Sequence, residues 1–103
     1  MRLRNITAIH EFKEGKKMIG QFAASKAGHD KAQIYVITAV EGDFVYLCDG
    51  RLKPLEKPKK KRLKHIQIIN TTVEEALLNK LRQGEAVLNE EIKYAIKKYL
   101  KDI

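Results

Sequence analysis

Ile34-Tyr-Val-Ile-Thr-Ala-Val40, then Glu41-Gly42-Asp43, then Phe44-Val-Tyr-Leu-Cys48 and Asp49-Gly50 form the stretch that decides the fold. Two β-branched and aromatic runs flank a turn triplet, and a strong hairpin dipeptide follows the second run, which predicts two antiparallel strands. In the first run Tyr35 and Ile37 oppose Ile34 and Val36 on alternate faces, so both faces of that strand are apolar and both need cover. Working outward, Ile19-Gly-Gln-Phe-Ala-Ala24 predicts a strand ahead of the pair and His65-Ile-Gln-Ile-Ile69 a strand after it. Between them a further strand begins at Arg51, where Pro54 and Pro58 confine it to an edge or an irregular segment. Five short strands this close together predict a small antiparallel barrel.

After Ile69 the apolar period changes from two to 3.6. Thr72 and Glu75 have capping-box spacing, Val73, Ala76, Leu77 and Leu81 share a face, and Gly84 can end the helix in the left-handed conformation. A second helix starts at Asn89, with Ile92, Ala95, Ile96, Tyr99, Leu100 and Ile103 on one stripe and Lys97, Lys98 and Lys101 at its C-terminal end. The expected fold class is therefore mainly β plus α: a five-stranded barrel over residues 18–69, then two C-terminal helices at about 73–82 and 89–101 within residues 70–103. The helical pair should pack on the barrel, because a barrel of about fifty residues has a marginal core. Residues 1–17 form an N-terminal extension that fits two patterns, a helical repeat (Leu3, Ile6, Ile9, Phe12) and a strand (Ile6, Ala8, His10, Phe12). Met18 offers an alternative start.

The chain has 103 residues, 44% hydrophobic and 33% charged, which suits one globular domain. A core of this size leaves little room for a deep catalytic cavity. The longest apolar run, Ile34 to Ile37, falls far short of the roughly 20 residues of a membrane helix, and the N-terminus carries no signal-peptide pattern. The expectation is a soluble cytoplasmic protein without membrane contact. A single cysteine, Cys48, among apolar neighbours reads as a small buried hydrophobe in a reducing compartment.

Formal charge is +8, and its placement says more than its size. Residues 1–50 hold seven basic and six acidic side chains, and residues 66–103 hold six of each. Residues 51–65, Arg51-Leu-Lys-Pro-Leu-Glu-Lys-Pro-Lys-Lys-Lys-Arg-Leu-Lys-His65, hold eight basic and one acidic. Such crowding costs self-repulsion that a polyanion removes while counterions are released, so nucleic acid is the leading partner. The competing readings are a solvated basic loop and a nuclear import signal at Pro58-Lys-Lys-Lys-Arg62.

Residues for catalysis are few. Ser25 is the sole serine, Cys48 has no cation or histidine beside it, and Glu74-Glu75 and Glu90-Glu91 sit where carboxylates stabilise a helix dipole. His10, His29 and His65 are dispersed, and one cysteine makes no metal-ligand spacing. Gly15-Lys16 lacks the rest of a phosphate-binding P-loop. The expectation is a non-enzymatic protein with no metal and no cofactor.

One loop does carry a pattern: Ser25-Lys-Ala-Gly28-His29-Asp30-Lys31-Ala32 combines cations and donors with a glycine able to take a positive φ. The ordinary alternative is a hairpin loop in which Asp30 bonds its own backbone. Phe22-Ala-Ala-Ser-Lys-Ala-Gly-His-Asp-Lys-Ala-Gln-Ile-Tyr-Val-Ile37, Asp49-Gly50 and Glu56-Lys-Pro-Lys-Lys-Lys-Arg-Leu-Lys-His65, in that order and spacing, resemble a KOW-domain RNA-binding protein. The chain is similar to bacterial relatives of the archaeal and eukaryotic large-subunit ribosomal proteins of the fourteen-e type, over about residues 18–69. The resemblance implies an SH3-like barrel that binds ribosomal or other structured RNA in translation, beside ribosomal proteins, without catalysis. The family usually has arginine in place of His29 and glycine in place of Ala32, and His29 is largely neutral at pH 7 with an unperturbed pKa near 6.5.

The RNA-binding residues expected are Lys26, Gly28, His29, Asp30 and Lys31 from the loop, with Arg51, Lys53, Lys57, Lys59, Lys60, Lys61, Arg62, Lys64 and His65 from the basic segment. Tyr35 and Tyr46 are the strand aromatics that could stack on bases, although burial is the role expected of them. The alternative function is a protein-protein adaptor whose helical pair docks a partner while the basic segment meets an acidic surface.

Overall fold

The computed structural model describes residues 17–26 and 33–102. Along the chain run β1 (Gln21–Ser25), β2 (Ile34–Glu41), β3 (Phe44–Cys48), β4 (Lys59–Arg62), β5 (Ile66–Thr72), α1 (Glu75–Gln83) and α2 (Asn89–Asp102). A 3-10 turn, Leu63–His65, joins β4 to β5. The strands make one antiparallel sheet in the order β4-β3-β2-β1-β5.

The β2–β3 hairpin closes on Gly42-Asp43, between the paired residues Glu41 and Phe44. Gly42 takes φ +58°, the positive value that the first central position of a type II′ turn requires. Asp49-Gly50, expected to be a hairpin turn, instead opens a loop that runs to Pro58, so β4 starts at Lys59 rather than Arg51. The cause lies in Asp49. Its buried carboxylate accepts from the backbone N–H groups of Arg51 (2.8 Å) and Lys53 (2.9 Å), which turns the chain away from β3. Gly50, at φ +78°, passes so close to α2 that a Cβ there would stand 2.4 Å from the Asn89 carbonyl oxygen. Asn89 then pins the loop, accepting from the Leu55 N–H and donating to Glu56, each at 2.8 Å.

The sheet curls strongly. Thr38 is an extra residue between the pairs Ile37–Leu47 and Ala39–Tyr46, and β1 and β5 slip register between Gln21 and Phe22; such bulges bend and twist strands. A flat sheet would hold β4 about 14 Å from β1, yet Lys61 Nζ lies 3.3 Å from Ser25 Oγ. The expected closure into a barrel does not occur: β4 and β5 stand at opposite ends of the hydrogen-bond order. The 3-10 turn takes the place of a closing ladder. It is tied to the β2–β3 turn by Leu63 N–H to Asp43 and to the end of β1 by Lys26 N–H to His65.

Both faces of β2 are covered, as its sequence demands. Tyr35 and Ile37 join Ala23, Val45, Leu47 and Ile66 inside the curl. Val36, with Phe22 and Cys48, packs on the other face against Val73, Leu77, Ile92, Ala95 and Ile96. The Tyr99 ring of α2 stacks on Phe22, centroids 4.5 Å apart. The helices thus supply four of the eight buried residues of this second cluster, Leu77, Ile92, Ala95 and Ile96, each fully buried large aliphatic side chain stabilising the fold by roughly 1.5–3 kcal/mol.

Two helix details differ from expectation. Thr72 belongs to β5 and Glu74 is the N-cap of α1, with no side-chain cap bond, so the Thr72–Glu75 capping box is not formed. Ala76 is exposed and Leu100 is 49% exposed, because the stripe facing the sheet is narrower than the apolar pattern. Gly84 ends α1 at φ +71° as expected, its N–H donating to Leu81. Ile103 and residues 1–16 lie outside the described residues.

Candidate nucleic-acid interface

Lys59–Arg62 forms an edge strand although nothing in lysine favours one; pairing with β3 supplies the order. The register sets Phe44 opposite Arg62, Val45 opposite Lys61, Tyr46 opposite Lys60 and Leu47 opposite Lys59. Directly opposed residues share a face, so the run divides in two. Lys59 and Lys61 lie on the face of Val45 and Leu47, half-buried, with Lys59 Nζ 5.6 Å from the Tyr35 ring centroid and Lys61 at Ser25. Lys60 and Arg62 are exposed on the outer face beside Phe44 and Tyr46.

On that outer face Lys60 Nζ stands 4.6 Å from the Phe44 centroid and 5.8 Å from that of Tyr46, and Arg62 Cζ stands 5.0 Å from Phe44. Each distance is within cation-π range, worth about 0.5–1 kcal/mol at an exposed site. Glu41 closes the group, accepting from the Tyr46 hydroxyl at 3.0 Å and lying 3.7 Å from Lys60 Nζ.

Around this strand the remaining basic residues are mostly without counter-charge. Among the described residues, Arg51, Lys53, Lys57, Lys61, Arg62 and Lys64 make no ion pair. Arg51, Lys53 and Lys57 occupy the loop before β4, and Lys64 and His65 are exposed on the 3-10 turn after it. Lys26 is exposed beside His65, whose carbonyl accepts its N–H at 3.1 Å. The fold therefore brings the end of β1 at Ser25 next to the basic segment, 36 positions away at Lys61. Gly28, His29, Asp30 and Lys31 lie outside the described residues.

Of the two tyrosines that could stack but were expected to be buried, Tyr35 is buried at 2% exposure inside the curl. Tyr46 is half-buried with its hydroxyl engaged. Phe44 was not a candidate from sequence, yet it carries the shortest cation contact of the strand. The signal was the alternation of Phe44 and Tyr46 against Lys60 and Arg62, which needs the β3–β4 register to be read.

Among the described residues, Cys48, Glu91 and Glu74 are engaged in contacts within the fold. Burial pushes the Cys48 thiol above its ordinary pKa against the hydrogen bond with Thr38 that lowers it, and Asp49 and Glu56 raise it further. Glu91 accepts from the Leu88 N–H and from Lys80, each at 2.9 Å, and these contacts, the backbone one first, hold its carboxyl below the usual range. Glu74 pairs with Lys98 across the two helices. Among the described residues no three His, Cys, Asp or Glu side chains gather, and no helix is long and apolar enough to cross a membrane. A groove of about 460 Å³ lies between α1, α2 and the end of β5, lined by Phe22, Val73, Leu77, Tyr94, Ala95 and Tyr99 among others. In comparisons with protein-family models and with curated proteins, nothing matches this chain.

Proposed function

We propose that this chain is a non-catalytic RNA-binding protein with an SH3-like fold of KOW type, acting on ribosomal or other structured RNA in the cytoplasm. The observation that carries this reading is the patch of Arg51, Lys53, Lys57, Lys61, Arg62 and Lys64, six cations without an ion pair among the described residues. The edge strand holds Lys61 and Arg62, the loop before it holds Arg51, Lys53 and Lys57, the 3-10 turn after it holds Lys64, and phosphates would supply the missing counter-charge with release of condensed ions. Lys26 adds a further exposed cation beside His65. Affinity would be led by phosphate contacts, which position a chain without reading its sequence.

The experiment is direct. Protein purified at low salt should carry nucleic acid that ribonuclease digests and high salt removes, and sequencing of that RNA identifies the target. Protein free of nucleic acid under those conditions contradicts the reading. A second reading, a protein-protein adaptor, draws support from the groove between the helices. In that case a protein partner, rather than RNA, should be retained through the salt wash.

A further inference from the structure

Resting on the RNA-binding reading, the geometry points to a specific ligand class: we infer that Arg62, seated on Phe44, is a stacking platform for an unpaired base, so the chain prefers RNA with a single-stranded segment beside its paired regions. The two outer cations of β4 are not equivalent. Lys60 is held over Phe44 and Tyr46 and paired with Glu41, which is itself bound by the Tyr46 hydroxyl. Its charge is answered within the protein. Arg62 is exposed, meets the Phe44 ring at 5.0 Å, and among the described residues pairs with no carboxylate. Phe44 is fixed at the first position of β3, directly opposite Arg62 in the ladder, so the platform belongs to the sheet rather than to a loop.

A guanidinium is planar, with donors along its edge and faces that stack, whereas an ammonium is a point charge. An arginine supported by a ring from within the protein can stack a base and still donate to a phosphate. Paired RNA offers little to such a group, because A-form duplex keeps its bases stacked and its deep groove closed to side chains. Base stacking on a protein platform contributes about 5- to 100-fold in affinity.

The test uses the full chain and fluorescence anisotropy on two probes of equal charge, an adenine-rich single strand and a blunt-ended duplex. Arg62→Lys keeps the charge and removes the plane. Its binding to the single strand should fall about 5- to 100-fold while its binding to the duplex changes less than about twofold. Phe44→Leu, checked for an unchanged melt, should weaken single-strand binding in the same direction. If Arg62→Lys binds both probes as the parent does, or weakens both equally, the platform is refuted and phosphate-led binding stands. If the parent binds neither probe, the RNA-binding reading itself fails.

Discussion

Replacing Ile92 by alanine tests whether the helices are core or appendage. Ile92 has no exposed surface and sits among Phe22, Val36, Cys48, Leu77 and Ile96, so the change removes three carbons that the sheet and both helices enclose. Transfer alone gives about 2.4 kcal/mol, at about 0.8 kcal/mol per carbon. The unfilled cavity adds to that and brings the expected loss to about 3–4 kcal/mol, within the usual range for such truncations. With a urea slope of about 1–3 kcal/mol per molar, the midpoint should fall by about 1–4 M. Leu100→Ala is the internal control, since that side chain is 49% exposed and its loss should cost less than about 1 kcal/mol. Equal midpoints for Ile92→Ala and the parent would refute the claim that the helical pair is integral to the core.

Gly50→Ala should destabilise by about 2 kcal/mol or more, since it places a Cβ at positive φ and against the Asn89 carbonyl; a thermal melt equal to the parent's would contradict this. Glu91→Gln should alter the acid limb of stability. A lowered folded-state pKa stabilises above the ordinary value of 4.5 and loses that contribution as pH falls through the folded value, so the gap between parent and variant should close in acid. Cys48 should react with a thiol reagent only as fast as the protein opens, since it is fully buried with a raised pKa; immediate labelling of the native chain would contradict its place in the core.

The parts of the fold that sequence makes legible are those where side chains alone decide. β2 and β3 follow from β-branched and aromatic runs, the two-sided cover of β2 from its alternation, and α1 and α2 from their apolar stripes. What stays hidden depends on partners far along the chain. Asp49-Gly50 has the composition of a hairpin turn, and only the capture of two N–H groups by Asp49 and the approach of α2 make it a loop. β4 is four basic residues with no apolar alternation, and is a strand because β3 pairs with it. Thr72 has the spacing of a cap and is drawn into β5 instead. The same holds at the candidate site: the cations can be counted from sequence, but their division into inner and outer sets, and the role of Phe44, appear only once the register is known.

Salt dependence is the sharpest check on phosphate-led RNA binding. With about four phosphates engaged, the logarithm of the association constant on single-stranded RNA should fall with the logarithm of salt at a slope near −3. Arg51, Lys57 and Lys64, exposed and without an ion pair among the described residues, changed together to glutamate should flatten that slope and weaken binding to every RNA alike. A slope near zero for the parent, or a triple variant that binds as the parent does, would contradict the claim.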